Sequence, residues 1–344
     1  MADLTLGAHG DEESIAVDIN ARGQMAGIIV EDSGRQRAVL YDQRPIELGT
    51  LGGSDSYTRD INQRGDVAGT AQNAAGYWRA FVVPHGGTMR DVGTLGGNSS
   101  YGAAINDQGQ VAGYADTSDG YYHAFRSDGS GEPVDLGTLG GKISYAAGIN
   151  NHGHIVGTAA LPDGYRHAFL YRDGVMRDLG TLGGRASSAS AVNEQGVVVG
   201  ASETAGRRWH AFVWERGRMT DLGALVGYGD SFATAVNNAG HVVGSIRVGD
   251  ERRSFVYRDG KMTVHPGGYG LYLVNAINNE ELVIGARYAG KKFSASTMIS
   301  SQPAVVTHGG QDLLAAAVAV VLAATAAVWY RRRYRGIALP KSIN

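Results

Sequence analysis

Residues 144–184 run Ser144-Tyr145-Ala146-Ala147-Gly148-Ile149-Asn150, then Asn151-His152-Gly153-His154-Ile155-Val156-Gly157, then, after Pro162-Asp163-Gly164, His167-Ala168-Phe169 and Asp178-Leu179-Gly180-Thr181-Leu182-Gly183-Gly184. The same short motifs recur in the same order along most of the chain. Aligned on the (Ile/Val)-Asn pair, the copies fall at Asn20, Asn62, Asn106, Asn150, Asn193, Asn237 and Asn278, in steps of 42, 44, 44, 43, 44 and 41 residues. A fixed period of roughly 40 to 50 residues marks stacked supersecondary units, each too small to bury its own apolar face. The chain is therefore read as seven copies of one unit.

Each unit offers four short strands. The first carries small residues before the Asn, with Ile15, Tyr57, Tyr101, Tyr145, Ser188, Phe232 and Leu273 five positions ahead of it, and suits the crowded axis of a ring. An Asn-x-x-Gly turn follows in six copies, with Glu281 replacing Gly in the seventh. Asn bonds its own backbone and Gly accepts positive φ, so the pair specifies a tight hairpin. The second strand has a Gly seven residues after every Asn, from Gly27 to Gly285, as if an aromatic ring from a neighbouring strand lay on bare backbone. His-Ala-Phe or a variant makes the third strand, with Phe inward and His outward, and Asp-Leu-Gly makes the fourth. The outward His residues are expected to bond carbonyls of neighbouring blades.

Four antiparallel strands taken seven times predict an all-β fold, a seven-bladed β-propeller of four-stranded blades. Asp3-Leu4-Thr5-Leu6-Gly7 reads as a spare fourth strand, and copy seven has none recognisable after Met298. The N-terminal strand is thus expected to pair with Phe293–Met298 and close the ring, which distinguishes a propeller from an open, capped solenoid.

Composition agrees with short strands and tight turns: Gly is 52 of 344 residues and charged residues are 19%. Without Cys there is neither a disulfide framework nor a thiolate metal site. Residues 1–312 carry 26 basic against 33 acidic groups, which argues against a nucleic-acid partner. The propeller is assigned to 1–300, a polar linker to 301–312, a transmembrane α-helix to the uncharged stretch 313–330 and a basic cytoplasmic tail to 331–344. Trp329, Tyr330 and the arginines 331–333 and 335 place the tail inside and the propeller outside, with the lipid bilayer as partner of 313–330. No export signal is visible in the first residues, so either the true start lies upstream of Met1, which the charge bias favours, or the protein is tail-anchored with its basic end translocated.

His-Ala-Phe at 123–125, 167–169 and 210–212, Asp-Leu-Gly-Thr-Leu-Gly-Gly at 135–141 and 178–184, and Ile-Asn-x-x-Gly resemble the HAF-repeat family of extracellular bacterial repeat proteins. The resemblance covers about residues 3 to 300, and its motifs keep a fixed order and spacing. Copies one, six and seven depart from it: Arg37-Ala38-Val39 lacks both His and Phe, and Val264-His265-Pro266 replaces the Asp-Leu-Gly run. It implies architecture and an extracellular location, and carries no settled biochemical activity.

No catalytic constellation stands out, and neither a metal nor a cofactor is expected. The His residues sit at equivalent places on successive blades, too far apart to share an ion. Asp18 and Asp60 occupy the position two before Asn in adjacent copies, where later copies have Ala or Gly. Solvated surface is the plain expectation for them; facing one another near the axis, they would make an acid–base pair. Tyr57, Tyr101 and Tyr145 are expected near the loop face, where the connections between second and third strands and those after Thr-Leu-Gly-Gly vary among copies. Two functions follow: a membrane-anchored, non-catalytic cell-envelope module binding a glycan or protein through these tyrosines, or an extracellular hydrolase or lyase acting on a polysaccharide through the aspartates.

Overall fold

The computed structural model describes residues 13–42, 44–128, 132–225, 227, 229–265, 271, 273–289 and 292–299. The chain separates into two units, Met1–Ala304 and Val305–Asn344. The second unit lies outside the described residues, and so do the expected N-terminal strand 3–7, the span 313–330 and the tail. Among the described residues no helix is long and apolar enough to cross a membrane.

Seven antiparallel sheets follow one another along the chain, six of four strands and the last of three among the described residues. Their first strands are Glu13–Ile19, Gly52–Ile61, Gly96–Ile105, Ser144–Ile149, Gly183–Val192, Ser231–Val236 and Leu273–Ile277. In every sheet the strands pair in sequence order, so each repeat is one blade of a seven-bladed propeller. Blade 4 is representative: Ser144–Ile149, Ile155–Ala160, Arg166–Arg172 and Val175–Asp178. In blades 2, 3 and 5 the Gly-Gly that ends the preceding repeat already belongs to the first strand, which reaches ten residues.

The His-Ala-Phe triplet is explained by packing between blades. Phe81, Phe125, Phe169, Phe212 and Phe255 are fully buried. Phe169 shares a core with Ala104, Ala112 and Ala124 of the preceding blade, and Phe125 shares one with Ala68 and Ala80. Blades 2 to 5 thus each offer an Ala-rich face to one neighbour and a Phe face to the other, the large-against-small fit that fills an interior without voids. Blade 1 has Val39 in place of Phe, and it packs with Ala276, Ile284 and Ala295 of blade 7. That shared core, with Asn275 Nδ2 donating to the Ala16 carbonyl at 2.7 Å and Ala295 N–H to Ser14 Oγ at 3.1 Å, joins the last blade to the first.

The recurring Gly of the second strand sits opposite a β-bulge. In blade 4 the register slips between Ala146 and Gly148, and Gly157 pairs with Ala146. A Cβ on Gly157 would lie 2.0 Å from the Tyr145 carbonyl oxygen and 3.0 Å from Cε1 of Phe169. The expected aromatic ring is present, and the bulged strand presses closer still. Bulges add twist and re-aim side chains, here at the axis of the ring.

Three hydrogen-bond ladders join the blades. In every turn the Asn Oδ1 accepts N–H groups of its own hairpin, as Asn150 does from His152 at 3.1 Å and His154 at 3.0 Å. Each Asn Nδ2 donates to the carbonyl of the next blade's Asn, from Asn20 to Asn62 and onward to Asn278, which donates back to Asn20 at 3.4 Å. All seven are buried, so the ring of amides is complete. A second ladder runs from the residue after each Asn to the side chain at that position in the next blade, beginning with Ala21 N–H to Gln63. It ends at blade 7, because Ala21 offers no acceptor. A third ladder ties the Ala N–H of the triplet to a buried Ser of the next blade, as in Ala124 to Ser144 at 2.8 Å. At the junction of blades 6 and 7 that position holds Tyr272 instead of Ser.

Candidate binding site on blades 2 to 4

The sevenfold pattern breaks most sharply in aromatic residues near the loop ends of the first three strands of blades 2 to 4. In blade 3 the bulge leaves Tyr101 directly opposite Tyr114, and the rings stack with centroids 4.8 Å apart and planes 18° from parallel. Tyr122, at the start of the third strand, meets both edge-on at 6.0 and 5.6 Å. From blade 4, Tyr145 approaches Tyr114 at 5.0 Å and Tyr122 at 6.0 Å, and the Arg166 guanidinium lies 5.8 Å above the Tyr145 ring. Edge-to-face and offset pairs of this kind add to the area they bury. Tyr57 stands with a separate group in blade 2, with Trp78 at 5.5 Å and Arg59 at 5.4 Å, and is 9% exposed. The structure therefore unites Tyr101 with Tyr145 and sets Tyr57 beside them in the neighbouring blade.

Hydrogen bonds fix the cluster. Tyr101 donates to Tyr122, and Tyr122 to the Asp116 carboxylate, which also accepts the Ser99 N–H at 3.2 Å. Burial, reinforced by Asp116, pushes the Tyr122 hydroxyl up to about 12. Burial likewise raises Tyr57, Tyr101 and Tyr114. These phenols thus stay neutral donors near pH 7, and the surface offers half-buried aromatic faces, hydroxyls and flanking guanidinium groups. It offers no base.

Asp18 and Asp60 are brought together at the axis, half-buried instead of solvated. Both accept the Ile61 N–H, Asp18 at 3.1 Å and Asp60 at 2.9 Å, and Asp60 also accepts the Ile105 N–H at 2.7 Å. The carboxyls are hydrogen-bonded to each other, and burial first, then the Asp18 charge, holds Asp60 well above the ordinary carboxylate range. A carboxyl pair in direct contact leaves no room for a sugar between acid and base, which glycosidases need. The pair ties blade 1 to blade 2 and blade 2 to blade 3.

The triplet His residues bond within their own blade, not to a neighbouring carbonyl as expected. His123 meets Asp135, His167 meets Asp178 and His210 meets Asp221, each with Nδ1 2.8 Å from a carboxylate oxygen. Arg79 with Asp91 and Arg37 with Glu47 replace them in blades 2 and 1. The Asp of Asp-Leu-Gly is the partner that a half-exposed strand-end His requires, so the two motifs belong together. Among the described residues no three His, Cys, Asp or Glu side chains converge to hold a metal ion.

Tyr114, Tyr122 and Trp78 escape a reading by repeat position. Tyr114 follows the recurring Gly where other copies have Ile28, Thr70, Thr158, Ala201, Ser245 or Ala286, so its departure from the pattern is the sequence signal for it.

No family model and no curated protein sequence matches the chain. Among solved structures it is similar to the β-propeller domain of the Trilobed protease from Pyrococcus furiosus, with a TM-score of 0.59 at 12% identity over 83% of this chain and 95% of that one. A puromycin-hydrolyzing peptidase of Mycobacterium tuberculosis aligns with a TM-score of 0.59 at 12% identity, over 83% of this chain and 51% of the enzyme, so the chain spans about half its length. The BP39L lectin from Burkholderia pseudomallei aligns with a TM-score of 0.53 at 10% identity, over 85% and 96% of the two chains. These likenesses establish the propeller fold.

Proposed function

We propose that this propeller is a non-catalytic binding module of the HAF-repeat type, anchored in the cell envelope by residues 313–330, whose loop face takes a glycan or protein partner. The observation that carries the reading is the concentration of Tyr101, Tyr114, Tyr122 and Tyr145 on adjacent blades, with Arg166 over one of them, where blades 1, 5 and 7 carry Ile15, Ser188 and Leu273 at the position of Tyr101. Aromatic rings held rigid by their neighbours lose little freedom when a ligand stacks on them, and that makes them efficient binding groups. A lectin among the fold neighbours is compatible with it. The anchor rests on the sequence of 313–330 alone.

A glycan-array screen and a pull-down with the full chain test the reading. Tyr145→Ala is expected to weaken binding to any ligand found by roughly fivefold or more, and replacing Tyr57, Tyr101 and Tyr145 together should abolish it while circular dichroism keeps its β signature. Undiminished binding by the folded triple variant would move the site elsewhere. The hydrolase or lyase alternative rests on Asp18 and Asp60, and their direct contact disfavours it.

A further inference from the structure

Outside the half-buried cluster, one position of the ring repeats an exposed aromatic. The carbonyl of the residue closing the turn between second and third strands accepts the N–H of the residue that starts it in five successive blades: Arg35 from Glu31, Tyr77 from Asn73, Tyr121 from Thr117, Tyr165 from Leu161 and Arg208 from Thr204. These are therefore structural equivalents. Three adjacent ones are tyrosines, exposed at 43%, 37% and 40%. Exposed tyrosines at single sites are ordinary, but three in register on neighbouring blades form an arc along the rim of the face that carries the inner cluster.

Cations reach over this arc from the start of the following blade. Lys142 Nζ lies 5.1 Å from the Tyr121 ring centre and 3.1 Å from its hydroxyl. The Arg185 guanidinium lies 5.3 Å from the Tyr165 ring centre and 2.5 Å from its hydroxyl. Two nearby carboxylates are engaged by backbone: Asp163 accepts the Tyr165 N–H at 3.0 Å, and Glu203 accepts the Arg185 N–H at 2.7 Å.

We infer that the arc of Tyr77, Tyr121 and Tyr165, with Lys142 and Arg185, is a binding track for an extended acidic polysaccharide whose sugar faces lie on the rings and whose carboxylates pair with the two cations. The inference rests on the glycan reading above and narrows it. Periodicity selects a polymer, because equivalent groups one blade apart can each take an equivalent unit of a repeating chain. The cations select acid groups: an ammonium or guanidinium already aligned on a tyrosine gains a charge-assisted partner without being ordered anew. A body with more acidic than basic groups would repel such a polymer elsewhere, so the track also sets its register.

The test is binding of the full chain to polygalacturonate, to its methyl ester and to neutral dextran, by calorimetry at two salt concentrations. Polygalacturonate should bind, more weakly at high salt, with the ester at least about tenfold weaker; Lys142→Ala with Arg185→Ala should cost about fivefold to tenfold on polygalacturonate alone. Equal binding of acid and ester, or a double alanine variant without effect, overturns the acidic track and leaves the glycan reading standing. No binding to any of the three polymers overturns the track, and a blank glycan array beside it removes the glycan reading as well. Loss of binding in Tyr77→Ala, Tyr121→Ala and Tyr165→Ala combined, with the melting temperature retained, assigns the rings to the track; retained binding takes them out of it.

Discussion

A Cβ on Gly157 meets the carbonyl oxygen of Tyr145 at 2.0 Å, and that oxygen belongs to backbone held by the bulge. A side-chain ring can swing aside; a bulged strand cannot do so without losing pairs on both sides. Gly157→Val is therefore expected to destabilise by about 3 kcal/mol in urea denaturation, the upper end for overpacking. Gly164, with nothing within 4 Å but φ of +88°, is the control for conformation without contact. A stability equal to wild type would show that the bulge yields. Asp60 acts in the opposite sense to a salt-bridged carboxylate. Its folded pKa lies above its unfolded one, so the protonated acid contributes stability at low pH that is lost as pH climbs from the usual carboxylate range through the raised value. Asp60→Asn should therefore melt with wild type near pH 4 and above it, by a few degrees, near pH 8. Asp116, also raised by burial, is common to both chains and cancels in the difference. A difference independent of pH would mean that Asp60 does not titrate in this window.

At the scale of the blade, the chain writes the same solution seven times, and this is why the fold is legible. Asn sets a turn and reaches the next blade, Gly clears a bulge, and Ala and Phe face opposite neighbours. A pattern of this kind needs no long-range information, because every unit has the same surroundings. The binding cluster is a different case. Tyr101 and Tyr145 were legible as odd residues at a repeat position, but Tyr114 joins them only because the bulge puts it opposite Tyr101, and Tyr122 only because the third strand begins there. Register and adjacency decide which departures meet, and the repeat pattern specifies neither. The His–Asp pairs were missed for the same reason, since Asp178 pairs with Phe169 and His167 reaches it from two residues along the strand, a meeting set only once the hairpin between them is placed. Blade 7 poses the remaining question at this scale: its third strand, Lys292–Ile299, has no described neighbour on its outer edge. The sequence Asp3–Gly7 matches the fourth strand of other repeats, so removing residues 1–9 should lower the melting temperature by several degrees through an uncovered edge. An unchanged melting curve would count against that pairing.

Taken whole, the ring is not equally laced. The amide ladder through the seven Asn residues is continuous, yet the second ladder stops between blades 7 and 1 at Ala21, and the Ser ladder meets Tyr272 between blades 6 and 7. Among the described residues blade 7 therefore lacks one of the three ladders on each side, while blades 2 to 5 keep all three at every junction between them. Circular structures give way at their weakest seam, and local opening concentrates where backbone bonds are fewest. Native-state hydrogen exchange should accordingly release the amides of Val283–Ala286 well before those of Ile155–Ala160; uniform protection around the ring would show that the continuous amide ladder alone governs opening. In a circle of seven, blade 7 lies across the axis from blades 3 and 4, so an opening at that clasp would leave the tyrosine surface, on the far side, with its shape.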